Sequence, residues 1–556
     1  MRLEQQYRLL YRHYGEGDAY PGLPALAALL NCSERNVRLQ LARMQAQGWL
    51  SWLPGRGRGR RSTLRCLLSP DALALQGVGQ LLAQGELEQA FARLPPAQRG
   101  QLMAQLPRYL GAGNNRRQLR IPLHRQLTTL DPIAVSSRLE AHLVRQLFDR
   151  LCDFDVHSQT LLPALAHHWE AADEARRWRF WLRPGISFHD GTPLDAAAVA
   201  ASIRRLDSPA CPWRRQYRDL RAIRVHDALS LSFELADSDW LWPQRLLTAN
   251  ASIVPPRRAA DFARQPVGSG PFRVLRHSPQ RLTLQANPHY YRARPLLDEI
   301  DLWVIEDDAS TAQGFDLRLD AGDTVRALQS ACTYLLPNPQ RPLLADAACR
   351  RWLLRLLSQP ALVATDDPLR RPALGLLPDW QQPPVAPGEA ALPAGSRLRL
   401  VTYELPAFQP LAQALAARLA AHGITLDIDT LSYPRYEDHP SWWPHTDLVL
   451  SSEVLHDDRD YSCHEWFGSN PVLQQALRGE AGARMDAALL AIQHQPERAA
   501  RMAAYRQIGD WLVAEGWLLP LSHERQGILA SPAVAGLKLG LNGWMDFSSL
   551  WLREET

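Results

Sequence analysis

The chain is 556 residues long, too long for one hydrophobic core, and its 46% apolar and 22% charged content is that of a globular protein rather than a disordered or fibrous one. The formal charge of +4 is unevenly spread: residues 1 to 70 hold eleven arginines against four carboxylates, leaving about −3 for everything that follows. Charge gathered at one end points to a polyanionic partner for that end alone, and Lys538 is the single lysine in the chain.

No apolar run approaches the ~18–20 residues of a membrane span. The start, Met1 to Arg8, has neither an apolar stretch nor a small-residue cleavage site, so no secretory signal is expected. Seven cysteines (Cys32, Cys66, Cys152, Cys211, Cys332, Cys349, Cys463) include no Cys-x-x-Cys pair, which argues for reduced thiols and against a zinc site. These features together predict a cytoplasmic protein that neither spans nor binds a membrane.

Leu3, Tyr7, Leu10 and Tyr14 repeat at helical spacing, and Gly15-Glu16-Gly17 stops that first helix. A second, short helix places Leu23, Leu26, Ala27 and Leu30 on one face. Asn31-Cys32-Ser33 makes a turn, and Ser33 is a suitable N-cap for a third helix reaching about Gln47. There Val37, Leu41 and Met44 face inward, which leaves Arg35, Asn36, Arg38, Gln40 and Arg43 outside; Gly48 ends the helix. Helix, three-residue turn and a helix faced with Arg, Asn and Gln is an arrangement that presents donors to base edges and phosphates. Two strands follow, 49–53 and 63–67, joined by the basic stretch Pro54 to Arg61. Arg56, Arg58, Arg60 and Arg61 alternate with glycines there, as a wing against a phosphate or minor groove requires, although a solvated loop has the same composition. The glycines do not match a nucleotide-binding G-x-G-x-x-G, and no helix follows them. The N-terminal part therefore reads as a winged helix-turn-helix, with Ser33 to Arg43 and the wing as its DNA-binding residues. Residues 71–115 read as further helices and a tether, and Gly111 to Asn115 as a domain boundary.

From about Arg120 the pattern changes to mixed strands and helices. Trp178 to Leu182 is a strand; Thr192, with Pro193 behind it and Asp195 three residues on, is expected to cap a helix running through Val199 and Ile203 to Leu206. Pro266-Val-Gly-Ser-Gly-Pro-Phe272 is a tight turn before a strand. Gly268-Ser269-Gly270 lacks the spacing and context of a nucleophile elbow, and His167-His168 and His189-Asp190 offer no metal-ligand set. The chain is thus expected to bind rather than catalyse, with no cofactor and no metal.

Arg183-Pro-Gly-Ile-Ser-Phe-His-Asp-Gly-Thr-Pro193, Pro266 to Phe272, Asn287-Pro-His-Tyr-Tyr291 and Leu297-Asp-Glu-Ile300, in this order, resemble the landmarks of the family 5 extracellular solute-binding proteins. Combined with an N-terminal winged helix, the wing Gly57-Arg-Gly-Arg-Arg-Ser62, the motif Ala166-His-His-Trp169 and the ending Gly543-Trp-Met-Asp-Phe547, the whole chain resembles the SgrR-type transcription regulators. That resemblance implies an α/β fold: a winged helix over 1–115, then a bilobal, class II periplasmic-binding-protein-like domain over 116–556 with its second lobe at about 397–518. It implies double-stranded promoter DNA and a small molecule as partners, a possible homo-oligomer, and a signal related to phosphosugars. The alternative is a peptide or small-solute receptor of a transport system.

For the ligand, the end of a strand at 447–453 and the segment after it are the sequence-level candidates. Glu453, Asp457 and Asp458 are either ligand contacts or an acidic solvent loop. Trp466 either stacks on a ligand or fills the core. Arg435 and Arg459 are candidates for gripping a phosphate or carboxylate.

Overall fold

The computed structural model describes residues 3–55, 61–70, eight positions between 72 and 94, 117–123, 125–304, 316–319, 325–358, 362, 370–405, 407–540 and 544–553. The wing residues Arg56, Arg58 and Arg60 and the boundary glycines near 111–115 lie outside them. The chain divides into two compact units. One is Met1–Asn115 with Pro122–Gln126 and Trp303–Phe315; the other is Arg116–Ile121, Leu127–Leu302 and Asp316–Thr556.

In the first unit, α1 (Leu3–Tyr14), α2 (Leu23–Leu29) and α3 (Glu34–Ala46) pack on a three-stranded sheet. Its order is β1 (Asp18–Ala19), β3 (Thr63–Cys66), β2 (Leu50–Leu53), with β2 and β3 antiparallel. The helical repeat read from the sequence is the buried face: Tyr7, Leu10, Leu26, Val37, Leu41 and Met44 are fully enclosed with Leu50 and Leu64. Tyr7 keeps its polar end satisfied, its hydroxyl lying 2.7 Å from the carbonyls of both Trp49 and Leu68.

The second unit is bilobal. Its first lobe has a hairpin of β5 (Cys152–Asp155) and β6 (Thr160–Pro163) and two four-stranded sheets. One runs β7 (Ala166–Ala172), β8 (Arg177–Leu182), β10 (Ser230–Leu235), β9 (Leu220–Asp227); the other runs β11 (Phe272–His277), β12 (Arg281–Ala286), β13 (Glu299–Val304), β4 (Gln118–Leu123). Helices α4 (Arg138–Leu147) and α5 (Ala196–Arg204) belong to this lobe. The cap of α5 differs from the sequence reading. Asp195, not Thr192, accepts the Ala198 N–H at 2.8 Å. Thr192 is held in the preceding turn, where its carbonyl accepts from Phe188 N–H and its own N–H donates to Asp190.

The second lobe is built on a sheet of order β14 (Leu317–Leu319), β21 (Leu519–Ala530), β16 (Ala331–Pro337), β20 (Leu448–Val454), β18 (Arg397–Tyr403), β19 (Thr425–Leu431), with β15 (Val325–Leu328) and β17 (Arg370–Pro372) also pairing with β21. Helices α6 (Ala347–Leu357), α7 (Phe408–Ala420), α8 (Arg459–Ser469), α9 (Glu480–Gln493) and α10 (Arg498–Ala514) contribute to its core. This core takes in more chain than 397–518, because β16 and α6 are part of it. The proline-rich approach is likewise laid against it, Leu376, Leu377 and Val385 being buried. Among the described residues, no helix is long and apolar enough to cross a membrane.

Candidate functional site

In the first unit, Ser33 caps α3 by accepting the Asn36 N–H at 3.3 Å, and Asn31 takes the left-handed conformation (φ 49°) that turns α2 into α3. With Val37, Leu41 and Met44 pinned inward, Arg35, Arg38 and Arg43 are exposed; Asn36 and Gln40 are half-buried and joined by a 3.4 Å hydrogen bond. Among the described residues, none of these three arginines has an ion pair or hydrogen-bond partner, so their donors face solvent.

The strands after α3 close the base of the basic loop: Leu53 pairs with Thr63, and the Gly55 N–H donates to Ser62 Oγ at 3.2 Å. Arg61, the one wing arginine described, is exposed. A groove of about 770 Å³ runs along the flank of α3 to this base, lined by Arg38, Ala42, Gln45, Trp52 and Ser62 among others. Gln45 fixes its two sides, its Oε1 accepting the Trp52 N–H at 3.1 Å. An exposed helix face of guanidiniums and carboxamides beside a groove is a surface that fits base edges and a sugar–phosphate strand.

The second unit places its candidate site between its lobes. Strands β18, β19 and β20 are parallel to one another, so their carboxyl ends share one edge of the sheet. In open α/β sheets the crevice beyond that edge is the usual ligand position. Tyr403 closes β18, Tyr433 follows β19, and Glu453, His456 and Asp457 lie at and beyond the end of β20. Tyr403 packs edge-on against Tyr433, with ring centres 5.5 Å apart, and contacts Tyr436 at 4.8 Å.

Helix α4 of the first lobe faces this edge. Arg138 brings its charge near the Tyr403 phenol, and Arg145 brings its own near Asp457 and Glu465. Burial pulls the Arg145 guanidinium down to about 10; Arg150 adds to that fall, and Asp457, Asp153 and Glu465 oppose it. Glu453 accepts a 2.8 Å hydrogen bond from Asn470, yet burial, with help from Glu465, pushes its carboxyl up to about 7. Burial would raise Glu465 as well, but His456, Gln216 and Arg145 together hold it below the ordinary range. Gln216, from the first lobe, donates to it at 3.0 Å.

Three landmark motifs converge on the turn that ends α4. The Gly270 N–H donates to Leu147 O at 3.0 Å, and a Cβ at Gly268 would stand 1.9 Å from that same oxygen, so only glycine fits. His189 N–H donates to Gly268 O, and its Nδ1 accepts the Gly268 N–H at 3.1 Å. Asn287 donates to Gly270 O, while Tyr290 and Ser269 hydroxyls donate to Asp149 at 3.1 and 3.3 Å. Segments near 189, 268 and 287 therefore fix the position of residues 145–150.

A separate contact also ties the two lobes together. Gln493 at the end of α9 donates to Ser238 O at 3.1 Å, accepts from Arg245 at 3.1 Å, and offers its backbone carbonyl to Trp240 N–H at 3.0 Å.

The sequence-level ligand candidates separate into two sets. Glu453 and Asp457 lie at the cleft edge, and Arg435 is exposed on the short helix Tyr433–Glu437. The other three are committed elsewhere. Asp458 is buried and caps α8 through the Asp460 N–H, so this stretch opens a helix rather than forming an acidic solvent loop. Arg459 pairs with Asp379. Trp466 is 2% exposed, stacked on Phe467 and tilted against Tyr334, which makes it a core residue. The reading from sequence missed Arg138, Arg145 and Glu465. One signal was available: Arg138 and Arg145 stand two turns apart on an amphipathic helix and thus share a face.

Comparison with known proteins follows the same division. The family model described as Sugar transport-related sRNA regulator N-term matches residues 2–117, and the model Bacterial extracellular solute-binding proteins, family 5 Middle matches residues 160–363. The HTH-type transcriptional regulator SgrR of Yersinia pseudotuberculosis serotype I (strain IP32953) is 31% identical over 567 residues, covering 99% of this chain and 98% of its own. The HTH-type transcriptional regulator SgrR of Salmonella typhimurium (strain LT2) is 31% identical over 568 residues with the same coverage. Among solved structures, the murein tripeptide binding protein MppA of Escherichia coli superposes with a TM-score of 0.66 at 17% identity, covering 79% of this chain and 99% of its own. NikA from Brucella suis, solved with Fe(III)-EDTA, gives 0.67 at 20% identity, covering 78% and 100%. The two solved structures speak for the fold alone. The relatives are named as regulators and binding proteins rather than as enzymes, and those that span this chain are regulators rather than transport receptors.

Proposed function

The chain belongs to the SgrR family of HTH-type transcriptional regulators, and on that premise we propose how its two units divide the work. In this reading, α3 enters the major groove of promoter DNA in the cytoplasm. Arg35, Asn36, Arg38, Gln40 and Arg43 read base edges and phosphates, and the wing arginines Arg56, Arg58, Arg60 and Arg61 grip the backbone beside it. The observation that carries this half is that Arg35, Arg38 and Arg43, unpaired among the described residues, lie on an exposed face whose opposite side is locked into the core. The inter-lobe cleft takes a small polar metabolite, a phosphorylated sugar before a short peptide, with Glu453, Asp457 and Arg435 among the residues around it.

A sensor fused to a DNA-binding unit acts only if ligand favours one DNA-binding state over the other. By linkage, operator DNA then changes ligand affinity by the same factor that ligand changes operator affinity. Calorimetric titration of the full chain with glucose 6-phosphate, with and without promoter duplex, tests this. Unequal affinities are expected; equal ones would leave two independent binding modules on one chain.

A further inference from the structure

We propose that Arg145 and Arg150 form a seat for an oxyanion in the inter-lobe cleft, gripping the phosphoryl or carboxylate end of a ligand whose hydroxyls are met by Asp457 and Glu465. This rests on the cleft being the ligand site, and goes further by naming the group recognised and the residues that recognise it.

The two guanidiniums stand at the end of α4, in the segment held by the Gly268–Gly270 turn. The Arg150 side chain is only 11% exposed, and its Nε and Nη1 are buried with no hydrogen-bond partner. The carboxylate nearest to it, Asp153, lies 3.8 Å away, beyond hydrogen-bonding range, and is taken by Arg292 at 2.8 Å and by the Phe154 N–H at 3.0 Å. Among the described residues, Arg145 makes one hydrogen bond, from Nη2 to the Leu247 carbonyl at 3.3 Å, out of the five donors a guanidinium carries. The two cations repel one another, and burial disfavours the charge on Arg145.

Other enclosed arginines of this unit are held closely: Arg245 by Asp239 at 2.7 Å, Arg281 by Asp301 at 2.6 Å, Arg501 by Asp460 at 2.6 Å, and Arg350 by the carbonyls of Leu344 and Ala345 and the Trp517 ring. Among the described residues, Arg145 and Arg150 have fewer close partners than these. Two adjacent forks with unfilled donors match the oxygens of one phosphoryl or carboxylate group, which accepts several hydrogen bonds and cancels the repulsion. Across the cleft, Asp457 and Glu465 supply acceptors only, which suits the hydroxyls of a polyol.

The test uses the full chain and its Arg145→Gln, Arg150→Gln, Arg150→Lys and Asp457→Asn variants, titrated by calorimetry and thermal shift with glucose 6-phosphate, gluconate and glucose. The expected result is that an anionic sugar binds the wild type and neutral glucose does not. A preference for glucose 6-phosphate identifies the phosphoryl group, and a preference for gluconate the carboxylate. Each glutamine variant should then lose at least tenfold in affinity while its ligand-free melting temperature stays close to that of the wild type, since neither arginine holds a carboxylate within hydrogen-bonding range. Arg150→Lys should recover part of the affinity. A fall in ligand-free melting temperature with unchanged affinity would mark the arginines as structural and overturn the seat. Glucose binding as well as its phosphate, weakened by Asp457→Asn, would overturn the seat but keep the cleft as the ligand site; no binding by any of the three would remove both.

Discussion

Arginine does opposite things in the two units of this molecule. On α3, Arg35, Arg38 and Arg43 are exposed and, among the described residues, unpaired. In the bilobal unit, Arg245, Arg281 and Arg501 are almost wholly enclosed and each is bound to a carboxylate. A charged side chain kept in water is free for a partner, whereas one withdrawn from water must be answered within the fold. Arg145 and Arg150 fall between these cases: both are largely withdrawn from water, yet among the described residues Arg145 makes one hydrogen bond at 3.3 Å and Arg150 stands 3.8 Å from its nearest carboxylate.

The sharpest test of the contrast is Arg501→Ala. Arg501 is 3% exposed and holds Asp460 at 2.6 and 3.0 Å as well as the carbonyls of Gln495 and Pro496. Removing it strands a buried carboxylate and should cost about 3–5 kcal/mol in urea unfolding. Arg35→Ala or Arg38→Ala should change unfolding by less than about 0.5 kcal/mol. Each should instead lose about 1–3 kcal/mol of discrimination between promoter and scrambled duplex in a competition binding assay. A stability loss on α3 comparable to that of Arg501→Ala would erase the distinction.

The cleft adds a pH dependence of known sign. Glu453 titrates at about 7 in the folded chain and near its ordinary 4.5 when unfolded, so the folded state holds the extra proton between those values. Its contribution to stability is complete below about pH 4.5 and is lost as pH rises through 7. Glu453→Gln should flatten that part of the stability profile and raise stability at pH 8 by about 1–2 kcal/mol, the full shift being reduced by partial exposure. At the weak end stands the exposed pair of Arg397 and Asp427, whose side chains are 72% and 53% accessible. Arg397→Ala should change the unfolding free energy by no more than about 0.5 kcal/mol.

What could be read from sequence follows the range of the interactions involved. The Ser33 cap and the buried face of α3 depend on neighbours three and four residues away, and both are in the structure as expected. The α5 cap was misjudged because Thr192 and Asp195 are both capable caps. The choice fell to the local bonds of 188–194, with His189 held against Gly268 and Gly270. For the ligand, proximity to the end of β20 found Glu453 and Asp457. It also drew in Asp458, which caps α8, and Arg459 and Trp466, whose partners Asp379 and Tyr334 are about a hundred residues distant. Arg145 and Arg150 were missed for the same reason. Neither is unusual in its local sequence, Arg145 within α4 and Arg150 just after it, and only the lobe opposite and the turn beneath give them meaning.

The contact between Gly268 and the Leu147 carbonyl bears on how this domain tolerates change. Residues 147 and 268 lie far apart in the chain, yet a single added methyl group at 268 would fall 1.9 Å from a main-chain oxygen that no substitution can delete. A repair would have to move the backbone of α4, and with it the guanidiniums of the cleft. A saturation library at this codon, selected for a folded sensor, should return glycine alone, whereas position 185, a left-handed glycine with open space around it, should also admit asparagine.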